Sequence, residues 1–117
     1  MKLAELAQAL DLIELTPSNE ENAAAEIARG YASDLLSDVL AHAPAGGILV
    51  TLQVHLNVIA VASHADLRAV IFAAGRRPED EIVERAVEEE ISLFLTDADT
   101  FDVAGRLYAL GVKGRHA

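Results

Sequence analysis

A chain of 117 residues and 12.4 kDa is the size of one domain. Apolar residues make up 52% against 24% charged, enough to bury a core and too many for a disordered chain. Nine basic against nineteen acidic side chains give a formal charge of -10, which argues against nucleic acid and anionic membrane surfaces as partners; the absence of cysteine excludes disulfides, zinc ribbons, iron–sulfur ligation and a thiol nucleophile.

Residues 2–10 place Leu3, Leu6, Ala7 and Leu10 on one helical face. A short extended piece over 12–15 stops at Thr16-Pro17, because the residue before proline is pushed out of the helical region. Residues 18–22 are polar and read as a mobile loop, and 25–29 as a second short strand. From Ser33, a candidate cap, with Asp34 in the first turn, the stripe Leu35, Leu36, Val39, Leu40 and Ala43 predicts a helix closed by Pro44 and Gly46-Gly47.

Then strand, helix and strand alternate. Residues 48–51 read as a buried strand, 57–63 as a helix and 67–73 as a strand. The β-branched Val58, Ile59 and Val61 suit a strand too, but a helical crossover brings the next strand back parallel. After the loop Gly75-Arg76-Arg77-Pro78, the spacing predicts a helix over 79–89 that opens on Pro78 with Glu79, Asp80 and Glu81 in its first turn. A strand follows over 91–95, then a loop over 96–99. A final helix over 100–110 is capped by Asp99 with Asp102 and stopped by Gly111. The fold class is α/β: a single compact domain, mainly parallel sheet with helices packed on it, its core about 12–111 between an N-terminal helix (1–11) and a tail (112–117).

In open parallel sheets ligands bind beyond the carboxyl ends of the strands. The residues there are polar: Thr51, Gln53, His55 and Asn57 after the first buried strand, Gly75 and Arg76 after the second, Thr96, Asp97, Asp99 and Thr100 after the third. Arg76 suits a phosphate or carboxylate, and His55 suits donation to the same group. The bland reading stands beside this, since hydroxyl, amide and carboxylate residues are also what turns and helix caps use. Thr51, Gln53, His55, Asn57, Gly75, Arg76, Thr96 and Thr100 are therefore the candidate ligand-binding residues, with Gln53, His55, Arg76 and Thr96 expected to converge around one common hollow.

No catalytic set emerges. Gly46-Gly47 is followed by Ile48, so there is no Walker-type phosphate loop, and neither G-x-G-x-x-G nor G-x-S-x-G occurs. The four histidines lack metal-site spacing, so neither a metal nor a cofactor is expected. The acidic residues of 79–90 lie on a solvated helix face. The apolar runs are too short to span a bilayer and nothing reads as a signal peptide, which gives a cytoplasmic expectation.

The run Gly30 to Pro44, then Thr51 to Ala62, Gly75-Arg76-Arg77-Pro78, and Thr100 to Tyr108 together resemble the DRTGG domain family, over roughly 12–111. Within that family it resembles the small stand-alone bacterial members, some of them found near iron hydrogenase genes, and the resemblance implies a domain similar to the N-terminal domain of the bifunctional HPr kinase/phosphorylase. The resemblance implies a regulatory or oligomer-forming α/β domain. The chain has no counterpart of the kinase half, so no kinase activity is carried over. The literal five-letter signature is absent, its nearest stretch being Ala28-Arg29-Gly30-Tyr31, and Glu90 stands where a helix-ending glycine is expected.

Three functions follow as expectations. The first is a non-enzymatic regulatory module, homodimeric through Leu107, Tyr108, Leu110 and Val112, that senses a small anionic metabolite or nucleotide at the strand-end rim. The second is a ligand-free scaffold that binds a protein partner in a redox or serine-kinase regulatory system. The third is a small enzyme with His55 as general base and Arg76 holding an anion.

Overall fold

A computed structural model describes residues 1–116; Ala117, the last residue of the expected tail, lies outside them. The chain runs α1 (Leu3–Ala9), β1 (Ile13–Glu14), α2 (Glu20–Ala24), β2 (Gly30–Ala32), α3 (Leu36–His42), β3 (Ile48–Thr51), α4 (Asn57–His64), β4 (Ala69–Phe72), α5 (Asp80–Glu88), β5 (Ser92–Leu95) and α6 (Thr100–Ala109).

One five-stranded sheet has the order β1-β5-β4-β3-β2. Strands β2 to β5 are parallel, in the register Gly30↔Ile48, Ile48↔Ala69 and Ala69↔Ser92, and β1 closes the far edge antiparallel, Ile13 opposite Leu95. The α/β reading, mainly parallel with helices on the sheet, is what the structure shows. Every residue of β3, β4 and β5 is buried, which explains their unalternating apolar runs.

Side-chain alternation splits that core in two. Ile48, Val50, Ala69, Ile71 and Phe94 pack against Leu3 and Leu6 of α1 and Val103 and Leu107 of α6. Leu49, Val70, Phe72, Leu93 and Leu95 pack against Val39 of α3, Val58 and Ile59 of α4, and Ile82 and Ala86 of α5. Each such aliphatic side chain contributes about 1.5–3 kcal/mol by leaving water.

Several expectations are corrected by side-chain bonding that periodicity does not reveal. The second strand lies at Gly30–Ala32, beyond 25–29, where Ile27 turns into the core instead. Residues 18–22 are not all loop: Asn19 Oδ1 accepts the Asn22 N–H at 3.0 Å and starts α2. Ser33 does not cap α3, which opens at Leu36; its Oγ accepts the Leu35 N–H at 3.2 Å, and Asp34 stays outside the helix. Pro78 lies one residue before the cap, Glu79, instead of at the first helical position. Leu107 and Val112 are buried and Leu110 is half-buried, so the expected C-terminal self-association patch shrinks to Tyr108 and part of Leu110.

Four helices end the same way. After α1, α4, α5 and α6 come Asp11, Asp66, Glu90 and Gly111, all left-handed (φ 55°, 59°, 59° and 101°). The next N–H of each closes back five residues: Leu12 to Ala7, Leu67 to Ala62, Ile91 to Ala86 and Val112 to Leu107, at 2.9–3.0 Å. This is the Schellman arrangement, which turns the chain sharply and returns an apolar residue to the core. At three of the four ends an acid holds the position that favours glycine.

Candidate functional site

The carboxyl ends of β3, β4 and β5 lie along one rim, and backbone bonds stitch them together. The Ala73 N–H donates to Thr51 C=O at 3.1 Å, Thr96 N–H to Phe72 C=O at 3.0 Å, and Gly75 N–H to Thr96 C=O at 2.9 Å. The chain leaves β4 toward α5 on one face and β5 toward α6 on the other. Such divergence opens a crevice between adjacent strand ends. Here Ala74 N–H reaches across it to Ala98 C=O at 2.8 Å, drawing the two loops together.

Most of the candidate side chains on this rim are engaged in holding it. Thr51 is fully buried; its Oγ1 donates to Asp34 Oδ1 at 3.1 Å and accepts the Gln53 N–H at 3.1 Å. Gln53 Nε2 donates to Asp34 C=O at 2.9 Å. His55 Nδ1 accepts the Asn57 N–H at 3.1 Å, which ties it to the start of α4 just before the cap residue Leu56 and leaves Nε2 for other work. The Asn57 side chain is exposed at the first position of α4. Thr96 is buried, and its Oγ1 accepts the Ala98 N–H at 3.2 Å. Thr100 begins α6, whose cap is Asp99, accepting the Asp102 N–H at 2.9 Å. Gly75 is left-handed (φ 69°), and a Cβ there would stand 3.2 Å from Asp97 Oδ1. Sequence spacing thus located the rim but did not distinguish caps from outward-facing groups.

The side chains of Asn57 and Thr100 make no bond among the described residues, and neither do two cations on the rim. Arg76 and its neighbour Arg77 are exposed and carry neither ion pair nor hydrogen bond from their guanidinium groups among the described residues. The other arginines do: Arg68 meets Glu21, Arg85 meets Glu89, Arg106 donates to Ala9 C=O, Arg115 to His116, and Arg29 to Gly114 C=O. Sequence reading missed Asp34 as the organiser of the rim. Its carboxylate accepts Leu52 N–H at 2.7 Å as well as Thr51 Oγ1.

The opposite end of the sheet holds a polar cavity of about 320 Å³ around Asn22, Ser63, Asp66, Arg68, Glu89 and Glu90. Asn22 closes its floor, Nδ2 donating to Glu90 C=O at 2.8 Å and lying 3.2 Å from Ser92 Oγ. On the outer strand, Tyr31 donates its hydroxyl to Asp38 Oδ2 at 2.8 Å while His42 Nδ1 lies 2.9 Å from Oδ1. The Tyr31 bond, with those of His42 and Ser33, holds the Asp38 carboxyl below its usual range, and the same bond raises the phenol of Tyr31. Among the described residues no three histidines or carboxylates converge as a metal site, and no helix is long and apolar enough to cross a membrane.

No family model and no curated protein matches the chain. Among solved structures it is similar to the CBS and DRTGG domains of the regulatory region of Clostridium perfringens pyrophosphatase, in complex with the activator diadenosine tetraphosphate. The TM-score is 0.74 at 19% identity, over 91% of this chain and 45% of that one. The chain spans less than half the length of that neighbour, and what the two share at this identity is a DRTGG-like α/β fold.

Proposed function

We propose that the chain is a non-enzymatic regulatory module that takes a small anionic metabolite or nucleotide at the strand-end rim, with Arg76 and Arg77 as its cationic contacts. One observation carries this reading. In a chain with nineteen acids and nine bases, the two arginines whose guanidinium groups meet no partner among the described residues are adjacent and stand beside Gly75, where the backbone is left-handed. Paired guanidinium groups match phosphate oxygens in geometry as well as charge. The pyrophosphatase region of similar fold is regulatory and was solved with a nucleotide activator, which supports the same class of ligand. Gln53, His55, Asn57 and Thr100 line the approach; Thr51 and Thr96 hold it in shape. Asp97 at the crevice sets the anion over the arginines, away from the strand ends.

The module acts as a homodimer in this reading, supported by the neighbouring exposed apolar side chains Leu35 (64%) and Leu40 (51%) at α3. A cytoplasmic location goes with it. The second reading, a scaffold for a protein partner, draws on the engagement of Thr51, Gln53 and His55 in structural bonds.

Thermal-shift titration against adenine and guanine nucleotides, diadenosine tetraphosphate and inorganic phosphate tests the ligand. At 100 times its dissociation constant, a binder stabilises the fold by about 2.7 kcal/mol. The shift is expected to vanish in Arg76→Ala and persist in Arg115→Ala. Silence across the panel, with co-purification of a partner protein, favours the scaffold.

A further inference from the structure

We propose that the outer edge of β2 accepts an extended acidic segment of a partner protein. The sheet ends at β2, and the ladder fixes which peptide groups point away from it. Arg29 C=O accepts Ile48 N–H at 3.1 Å and Ser33 N–H donates to Val50 C=O at 3.2 Å, so Gly30 and Ala32 face outward. The segment after α6 covers only the beginning of that edge. Lys113 N–H donates to Ala28 C=O at 3.0 Å, and Lys113 C=O accepts Gly30 N–H at 2.9 Å, after which the chain turns away. The C=O of Gly30 and both peptide groups of Ala32 are left without a partner among the described residues. An added strand completes such an edge.

Shape and charge define what the strand carries. Beside the open stretch a groove of about 170 Å³ runs between β2 and α6, walled by Val50, Leu107, Val112 and Tyr108. That is room for one aliphatic or small aromatic side chain, since a cavity of about 150 Å³ accepts benzene. Gly30 keeps the groove open: a Cβ there would stand 3.1 Å from Val112 Cγ1. The Lys113 ammonium lies 3.9 Å from the Tyr108 ring centre and donates one proton to Tyr108 C=O at 3.0 Å, leaving donors for a carboxylate. Arg115 follows two residues on. On the far face Asp38 is already engaged by Tyr31 and His42. Lys113 and Arg115, both at the start of this edge, attract carboxylates, which favours an acidic partner. The proposal does not require a ligand at the strand-end rim, and failure of that site leaves it standing.

The test is fluorescence anisotropy of the full chain with a labelled, end-blocked peptide Glu-Thr-Val-Thr-Glu, whose Val and Glu side chains share one face of the strand, compared with Lys-Thr-Val-Thr-Lys. The acidic peptide is expected to bind saturably, about tenfold or more tighter than the basic one, and to slow hydrogen exchange at the Ala32 amide. The double variant Lys113→Glu/Arg115→Glu gives up the Lys113 contacts to Tyr108 and is expected to lose binding by about tenfold or more while keeping a cooperative melt, and the single exposed variant Arg115→Glu is expected to weaken binding while melting normally. Ala32→Pro, which removes the edge N–H, is expected to weaken it as well. Three results would overturn the proposal: no binding of the acidic peptide, equal binding by the charge-reversed variant, or an Ala32 amide already protected in a dimer of the free chain.

Discussion

Replacing Glu90 with glycine is expected to stabilise the protein. Glu90 sits at φ 59° just after α5, its N–H bonded to Val87 C=O at 3.1 Å while Ile91 N–H closes to Ala86 C=O at 2.9 Å. A left-handed L-residue costs about 1–2 kcal/mol, which glycine removes. The freer unfolded chain returns about 0.4–1 kcal/mol of that gain. Removing a carboxylate from the negative end of a helix adds about 0.3–1 kcal/mol. The Asn22 bond is to the Glu90 backbone and survives the change. The balance is a gain of about 1 kcal/mol, or a rise of about 4 °C in melting temperature for a domain of this size. Urea denaturation should show it as a higher midpoint at unchanged slope. Ala60→Gly, at an exposed interior position of α4, is the control and is expected to lose about 1 kcal/mol. Equal losses in both variants would refute the assignment of strain to the helix end.

Other substitutions probe the supports of the fold. Asn22→Ala is expected to cost about 2–3 kcal/mol in chemical denaturation, because it leaves Glu90 C=O and Ser92 Oγ without their buried donor. Gly47→Ala places a Cβ 2.8 Å from both Arg29 C=O and Pro44 C=O, two backbone atoms that do not give way easily; a loss of about 1–3 kcal/mol is expected. The Tyr31–Asp38 bond gives stability with two pH limits. Asp38, held low, contributes above about pH 4 and loses its contribution as pH falls through its folded value. Tyr31, held high, contributes below about pH 10 and loses it as pH rises through its folded value. Tyr31→Phe should flatten the alkaline limb of a stability–pH profile and weaken the acid limb, whereas an unchanged profile would show that the bond is absent in solution.

The fold was legible where one interaction dominates. The apolar runs at 48–51 and 69–72 signal strands buried on both faces, and the Gly111 stop and the Asp99 cap are local devices that few residues specify. Glu90 was legible only as a helix end lacking its glycine; that the chain keeps the turn and makes Glu90 left-handed is what the structure adds. Elsewhere local signals lost to distant partners. Ser33 and Asp34 have the composition of a helix cap, yet Asp34 is taken by Thr51 and Leu52, seventeen and eighteen residues away, and the helix opens later. Asn22 appears as one polar residue in a polar stretch, although its bonds reach β5 and fix α2. At the rim, residue types and their place after the strands were readable, but the bond from the Asn57 N–H to His55 Nδ1 was not, because nothing in the spacing separates a pocket histidine from one tied to the start of α4.

The functional account is tested most directly by following backbone amide resonances of the isotope-labelled chain as diadenosine tetraphosphate or ATP is added. It predicts saturable shifts at Gly75, Arg76, Arg77 and Thr96 that disappear in Arg76→Ala/Arg77→Ala. Shifts confined to Asn22, Ser63 and Arg68 at the opposite end, or no shifts with either nucleotide, would contradict it.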